Sequence, residues 1–321
     1  MPVEFPTHPL IIPLEQAGLR LDQALAQLLP EYSRSRIQQW IRAGRVHVDG
    51  AVPRPRDQLY GGERVQVAVD FPADETVAAE PLALDVVHKD RGIFVILKPA
   101  GLVVHPGAGN RTGTMQNALL ALDPALARVP RAGLVHRLDK DTSGLMLVAR
   151  TPEAHTALVA MLAAREIERE YLALCNGVMT GGGTVDARIG RHRTTRTRMA
   201  VRADGRDAVT HYRIEKRYRA HTLARVQLET GRTHQIRVHM AHLGFPIVGD
   251  PLYGGRKRIP PGASPALLAA LAEFRRQALH AARLALAHPL TGKPLEFTRP
   301  VPRDFARLLT ALERDQRDAA A

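Results

Sequence analysis

Residues 71–82 constrain this chain more than any other stretch, with two prolines and three acids among small side chains. Proline fixes φ and removes an amide donor, and no apolar period runs through the segment, so neither helix nor strand continues across it. It reads as a linker dividing 321 residues into a small N-terminal unit and a larger C-terminal one. Hydrophobic residues make up 45% of the chain, enough to give both units a core rather than leave them disordered.

Residues 1–16 read as an irregular arm, and the small unit spans 17–70. In it Leu21, Ala24, Leu25, Leu28 and Leu29 recur at helical spacing until Pro30. Ser33 is placed to cap a second helix with Ile37, Trp40 and Ile41 on its apolar face and Gly44 as its stop. Val46 and Val48 alternate as a strand, Asp49-Gly50 signals a turn, and Val65, Val67 and Val69 alternate again. The second helix carries Arg34, Arg36 and Arg42, followed by Arg45, with no acid between Glu31 and Asp49. That pattern fits a solvated charged face or a helix laid on a phosphate backbone equally well.

In the larger unit, 83–321, strands are expected at Ile93–Leu97, Leu145–Ala149, Tyr171–Cys175, Val209–Ile214 and Leu223–Leu228. A hairpin is expected over Leu284–His288 and Leu295–Phe297, turning at Thr291-Gly292. Helices are expected near Thr114–Leu122 and after Thr151-Pro152. Strands and helices do not alternate regularly, so the fold class is α+β, with a mixed, largely antiparallel sheet.

The 45 Lys and Arg outnumber 32 Asp and Glu, a net charge of +13 that favours a polyanionic partner. From Arg188 through Arg219 the excess is densest, eleven basic residues against three acids. It reads as an RNA track or an exposed charged hairpin. The single cysteine, Cys175, excludes an intramolecular disulfide and a multi-cysteine zinc site, and its apolar surroundings make it a small buried hydrophobe. No apolar run reaches membrane-spanning length and the N-terminus lacks a leader pattern, so a cytoplasmic protein with no membrane partner is expected. Gly107 to Gly113 has neither the spacing of a dinucleotide loop nor a following Gly-Lys-Ser/Thr. His234, His239 and His242 lack the ligand pattern of a metal site and read as histidines facing RNA; no metal is expected.

Two segments concentrate chemistry. In Leu134-Val135-His136-Arg137-Leu138-Asp139-Lys140-Asp141-Thr142-Ser143-Gly144-Leu145, apolar residues flank a dense polar centre. Charges between buried strands are costly unless paired or used, which leaves a site and a structural ion cluster equally open. In Leu228-Glu229-Thr230-Gly231-Arg232-Thr233-His234-Gln235-Ile236-Arg237-Val238-His239-Met240, Thr233 is placed to cap a helix whose apolar face carries Ile236, Met240 and Leu243. Arg237 borders that face, from which its guanidinium could reach a buried carboxylate or simply snorkel to solvent.

These two segments resemble the signature motifs of the bacterial pseudouridine synthases that act on ribosomal and transfer RNA. Arg169-Glu170-Tyr171-Leu172-Ala173 is similar to the family's tyrosine motif, and Val248-Gly249-Asp250-Pro251-Leu252-Tyr253-Gly254 is another shared stretch. Gly18 to Asp22, Ser33 to Ile37 and Val46 to Gly50 resemble the S4 RNA-binding module. Val103 to Asn110 and Pro130 to Gly133 resemble the D-type subgroup, which acts on large-subunit ribosomal RNA.

The resemblance implies isomerisation of uridine to pseudouridine, the uracil moving from an N1 to a C5 linkage on ribose, with no cofactor. It makes Asp139 the catalytic carboxylate, as nucleophile at C1′ or as base at the neighbouring ribose carbon. An ionised Asp in a water-excluding pocket needs a cationic partner, and the resemblance supplies Arg237. It makes Tyr171 the ring that stacks on the target base, and Arg137 the side chain that fills the space left by the flipped base. His136, Arg34 and Arg36 are expected to bind substrate. The implied partners are a stem-loop of large-subunit ribosomal RNA and the assembling large subunit, met by a monomer during ribosome biogenesis. Two other readings are an RNA N-glycosidase, for which Asp141 is the nearby second acid, and an RNA-binding protein without catalysis.

Overall fold

The computed structural model describes residues 7–29, 34–68, 77–107, 110–195, 197–256 and 258–320. The chain forms two compact units, Met1–Thr76 and Val77–Ala321.

In the first unit, helices α1 (Leu21–Leu28) and α2 (Arg34–Arg42) pack on a three-stranded antiparallel sheet. Its strands are β1 (Thr7–Ile11), β2 (Val46–Val48) and β3 (Arg64–Ala68), with β3 central. The core is the one the periodicities select: Leu21, Leu25, Ile37, Trp40, Val65 and Val67 are all buried. The expected irregular arm is a correction: Thr7–Ile11 pairs along β3, Thr7 opposite Ala68 and Ile11 opposite Arg64. That edge of β3 needs a partner for its amides, and no local apolar period announces the strand that supplies one. Asp49-Gly50 turns Val48 back to Ala51 rather than joining β2 directly to β3. Ser33 and Val69 lie outside the described residues.

The linker, too, is shorter than its composition suggests. Residues 71–76 lie outside the described residues, but 77–82 are bonded to the second unit. Asn117 donates to the Ala78 carbonyl at 2.8 Å, and the Glu80 amide donates to the Asn117 carbonyl at 3.0 Å.

The second unit is built on a nine-stranded mixed sheet. Along its main path run β4 (Asp85–Lys89), β5 (Ile93–Lys98), β6 (Ser143–Ala149), β13 (Leu279–Ala287), β7 (Glu168–Asn176), β12 (His221–Leu228), β11 (Val209–Arg217) and β8 (Gly183–Asp186). β14 (Pro294–Thr298) also pairs with β13. Among the described residues, only β6 and β13 run parallel, and every other strand pairing in the sheet is antiparallel. A separate antiparallel pair, β9 (Ile189–Arg191) and β10 (Met199–Val201), was not evident from alternation. Five helices contribute to the core around the sheet: α3 (Met115–Leu122), α4 (Pro152–Ala163), α5 (Gln235–His242), α6 (Pro265–Glu273) and α7 (Arg303–Asp318). Thr114 and Thr151 cap α3 and α4 through their side chains, satisfying amide donors that have no partner inside the helix. β6 is buried along its whole length, as expected of an interior strand flanked on both sides. Among the described residues, no helix is long and apolar enough to cross a membrane.

Candidate active site

The loop carrying Asp139 enters β6, and it is pinned from below. The ammonium of Lys98, at the end of β5 and fully buried, donates to the carbonyls of Pro99, Leu102 and Lys140 at 2.8–2.9 Å. Burial drives the Lys98 pKa down to about 7, against the pull of Asp141 and Asp139. Just past the loop, Gly144 has φ +127°, and a Cβ there would collide with the backbone of Ala281 on β13. Only glycine lets β6 approach so closely.

The second motif turns out of β12 into α5. Gln235 braces the turn: its side-chain oxygen accepts from Thr230 at 2.8 Å and the Arg232 amide at 2.9 Å. Its amide group donates to the Val209 carbonyl and the Thr210 hydroxyl. The expected cap at Thr233 is corrected to His234, which takes left-handed backbone with φ 57° and makes no side-chain cap. With Gln235 already tying down the turn, a threonine cap is not required.

Arg237, one turn into α5, does not snorkel. It is 4% exposed and lies between two carboxylates. Its Nη1 donates to Asp139 Oδ2 at 2.9 Å, while Nε and Nη2 donate to the two oxygens of Asp250 at 2.7 and 2.9 Å. Asp250, its side chain fully buried, also accepts the amides of Leu252 and Tyr253. Burial raises the Asp250 pKa, but Arg237 and these amides outweigh it and leave the carboxyl below its ordinary value.

Asp139, His136, Arg137, Tyr171 and Arg237 line one cavity of about 500 Å³. Arg131, Arg165, Arg169 and Arg232 make its walls cationic. Tyr171 and Arg169 lie two residues apart on β7, so strand alternation turns both to the same side. Tyr171 is 5% exposed, and burial pushes its hydroxyl pKa up. His136 accepts the Leu147 amide at Nε2, 2.9 Å away, and burial lowers its pKa to about 3. That bond fixes a neutral ring and ties the motif to β6.

Two residues with a place at the site were given no role from sequence, Asp250 and Tyr253, and His234 was read only as facing RNA. Asp250 lay in a recognised stretch, but nothing local couples it to Arg237, 13 residues away. It also replaces Asp141 as the second acid of the centre, though Arg237 and two amides enclose it. Of the histidines expected to face RNA, His239 does not. His239 is fully buried between Thr210 and the Ala187 carbonyl, whereas His234 stands over the cavity beside Asp139.

The remaining candidates lie in the first unit. Arg34 joins Arg20 and Gln38 around the buried carboxylate of Asp22, with its guanidinium 3.0 Å from it. The Arg36 side chain lies outside the described part of the structure. Of the basic run from 188 to 219, Arg188, Arg202, Arg213, Lys216 and Arg219 each pair with an acid of the fold. Two of these partners, Asp207 and Asp204, belong to the run itself, and three, Glu170, Glu313 and Asp315, come from β7 and α7.

Residues 92–242 match the family model for RNA pseudouridylate synthase, and residues 19–65 match the S4 domain. The chain is 56% identical to ribosomal large subunit pseudouridine synthase D of Xanthomonas campestris pv. campestris, over 99% of this chain and 96% of that one. It is equally similar to the protein of that name in Pseudomonas aeruginosa, over 95% of each. Among solved structures, human RNA pseudouridylate synthase domain containing 4 matches with a TM-score of 0.56 at 28% identity, over 71% of this chain and 93% of that one. With more than half of its residues identical to these relatives along almost its whole length, the chain belongs to the RNA pseudouridylate synthases, enzymes that isomerise uridine to pseudouridine in RNA.

Proposed function

We propose that the chain converts specific uridines of large-subunit ribosomal RNA to pseudouridine, with Asp139 as the carboxylate that acts at the ribose. The observation that carries this reading is the ion pair of Asp139 with the buried Arg237 inside a cationic cavity. A fixed guanidinium, held from behind by Asp250, keeps a negative charge available where water is scarce. The target base leaves its stack, at a cost of a few kcal/mol that is smallest in loops, and stacks on Tyr171. Arg137, exposed at the cavity, fills the vacated space, and the wall arginines hold flanking phosphates.

The ribosomal substrate is supported by the relatives, which are named for the large subunit. The S4 unit binds the same RNA, with Arg34 and Arg36 on its basic helix. The enzyme works as a cytoplasmic monomer on a stem-loop of the assembling subunit. Mapping pseudouridines in large-subunit RNA from cells with and without the gene tests this. Loss of specific sites is expected, and an unchanged map would overturn the substrate assignment.

A further inference from the structure

His234 lines the cavity with its ring beside Asp139. Its backbone is left-handed, a conformation that costs a non-glycine residue energy and persists where the surroundings enforce it. Its ring stands between the catalytic carboxylate and a tyrosine. Nε2 lies 3.9 Å from Asp139 Oδ1, and Nδ1 lies 2.8 Å from the Tyr253 hydroxyl. The Tyr253 oxygen also accepts the Met199 amide at 2.8 Å, and the two rings meet edge to face at 5.6 Å. A phenol oxygen has lone pairs for two donors, so the ring can carry its proton on Nδ1 and present a bare Nε2 to the cavity.

The reaction has a use for such a nitrogen. Once uracil has turned and C5 has bonded to C1′, C5 still holds its hydrogen. That proton must leave before the ring regains its conjugation. C5 is then bonded to the carbon beside which Asp139 works, so a base within about 4 Å of Asp139 is within reach of it.

We propose that His234 is the base that removes the C5 proton, held in place by Tyr253. The C5–H bond breaks and its electron pair forms the C5=C6 double bond. The former C6=N1 pair moves onto N1, which takes a proton from water, and Nε2 gains the C5 proton and later releases it to water. Burial, Arg237 and Arg137 keep the resting ring neutral, while the carboxylates of Asp139 and Asp250 stabilise the imidazolium formed in this step. The assignment rests on Asp139 acting at the ribose.

The test uses RNA carrying uridine deuterated at C5, with the full-length enzyme. His234→Asn suits it because asparagine tolerates left-handed backbone. Its kcat should fall by on the order of 10²-fold, and its deuterium isotope effect on kcat should exceed that of the wild type, since proton removal becomes limiting. Tyr253→Phe, which frees Nδ1, should fall between the two and gives the same readout if His234→Asn does not fold. A slow variant with an unchanged isotope effect, or one of wild-type rate, would overturn the proposal. Failure of the Asp139 assignment would appear separately, as turnover by Asp139→Asn.

Discussion

Arg237 donates to Asp139 at 2.9 Å across a sequence separation of 98 residues, joining the helix after β12 to the loop before β6. The contact makes one charged centre of two motifs that neither strand pairing nor helix packing would bring together by itself. Buried charges at such a junction are tolerated only when each is paired and hydrogen-bonded.

Asp250 is what makes the arrangement affordable, since it holds two of the guanidinium nitrogens from behind. Asp250→Ala should destabilise the fold by about 3–5 kcal/mol, because it leaves a buried charge half-paired. It should also slow catalysis by letting Arg237 drift from Asp139. Denaturant midpoints and turnover rates would check both, and a variant matching wild type would show that the clamp is dispensable.

Lys98 carries the loop rather than the reaction. Lys98→Met keeps the length of the side chain but strands the carbonyls of Pro99 and Leu102, while that of Lys140 keeps the Gly101 amide. Each unpaired buried carbonyl costs about 1–3 kcal/mol. The expected outcome is a marked loss of stability together with a lower kcat, since the Asp139 loop loses its anchor. Equilibrium unfolding and steady-state kinetics measure the two effects. Lowered activity with full stability would instead point to a chemical role for the ammonium.

Acid should weaken the protein through histidines remote from the cavity's chemistry. Burial lowers both His221 and His280 to about 4, while a histidine in the unfolded chain titrates near 6.5. Between those values the unfolded chain binds more protons, so stability falls as pH drops from about 6.5 to about 4. Below that window both states are protonated and this contribution no longer changes. Urea midpoints at pH 7 and pH 5 should differ in that sense. His221→Leu should shrink the difference, because neither ring nitrogen of His221 has a partner among the described residues. A pH difference unaffected by that variant would place the effect elsewhere.

The legible part of the fold was the part written locally. Runs such as Ile93–Leu97 and the threonines at 114 and 151 encode strand and cap within a few residues, and the structure has them there. β1 was missed because its order comes from the open edge of β3 rather than from its own pattern. At the site, Asp139, Tyr171 and Arg237 were legible through motif resemblance, and the structure places all three on one cavity. Asp250 and Tyr253 were not legible as partners, since they act through contacts with Arg237, His234 and Met199 that only the folded chain creates. The density of the basic run from 188 to 219 is visible in sequence, but three of its partners are not, since Glu170 comes from β7 and Glu313 and Asp315 from α7.

The central claim is that one carboxylate, Asp139, performs the isomerisation, and Asp139→Asn tests it most directly. The substitution keeps the shape of the side chain and removes its charge. With a large-subunit stem-loop as substrate, product is measured as pseudouridine and binding as retention of the RNA. The account predicts no detectable pseudouridine with RNA binding largely preserved. Pseudouridine formed at the wild-type rate would contradict it.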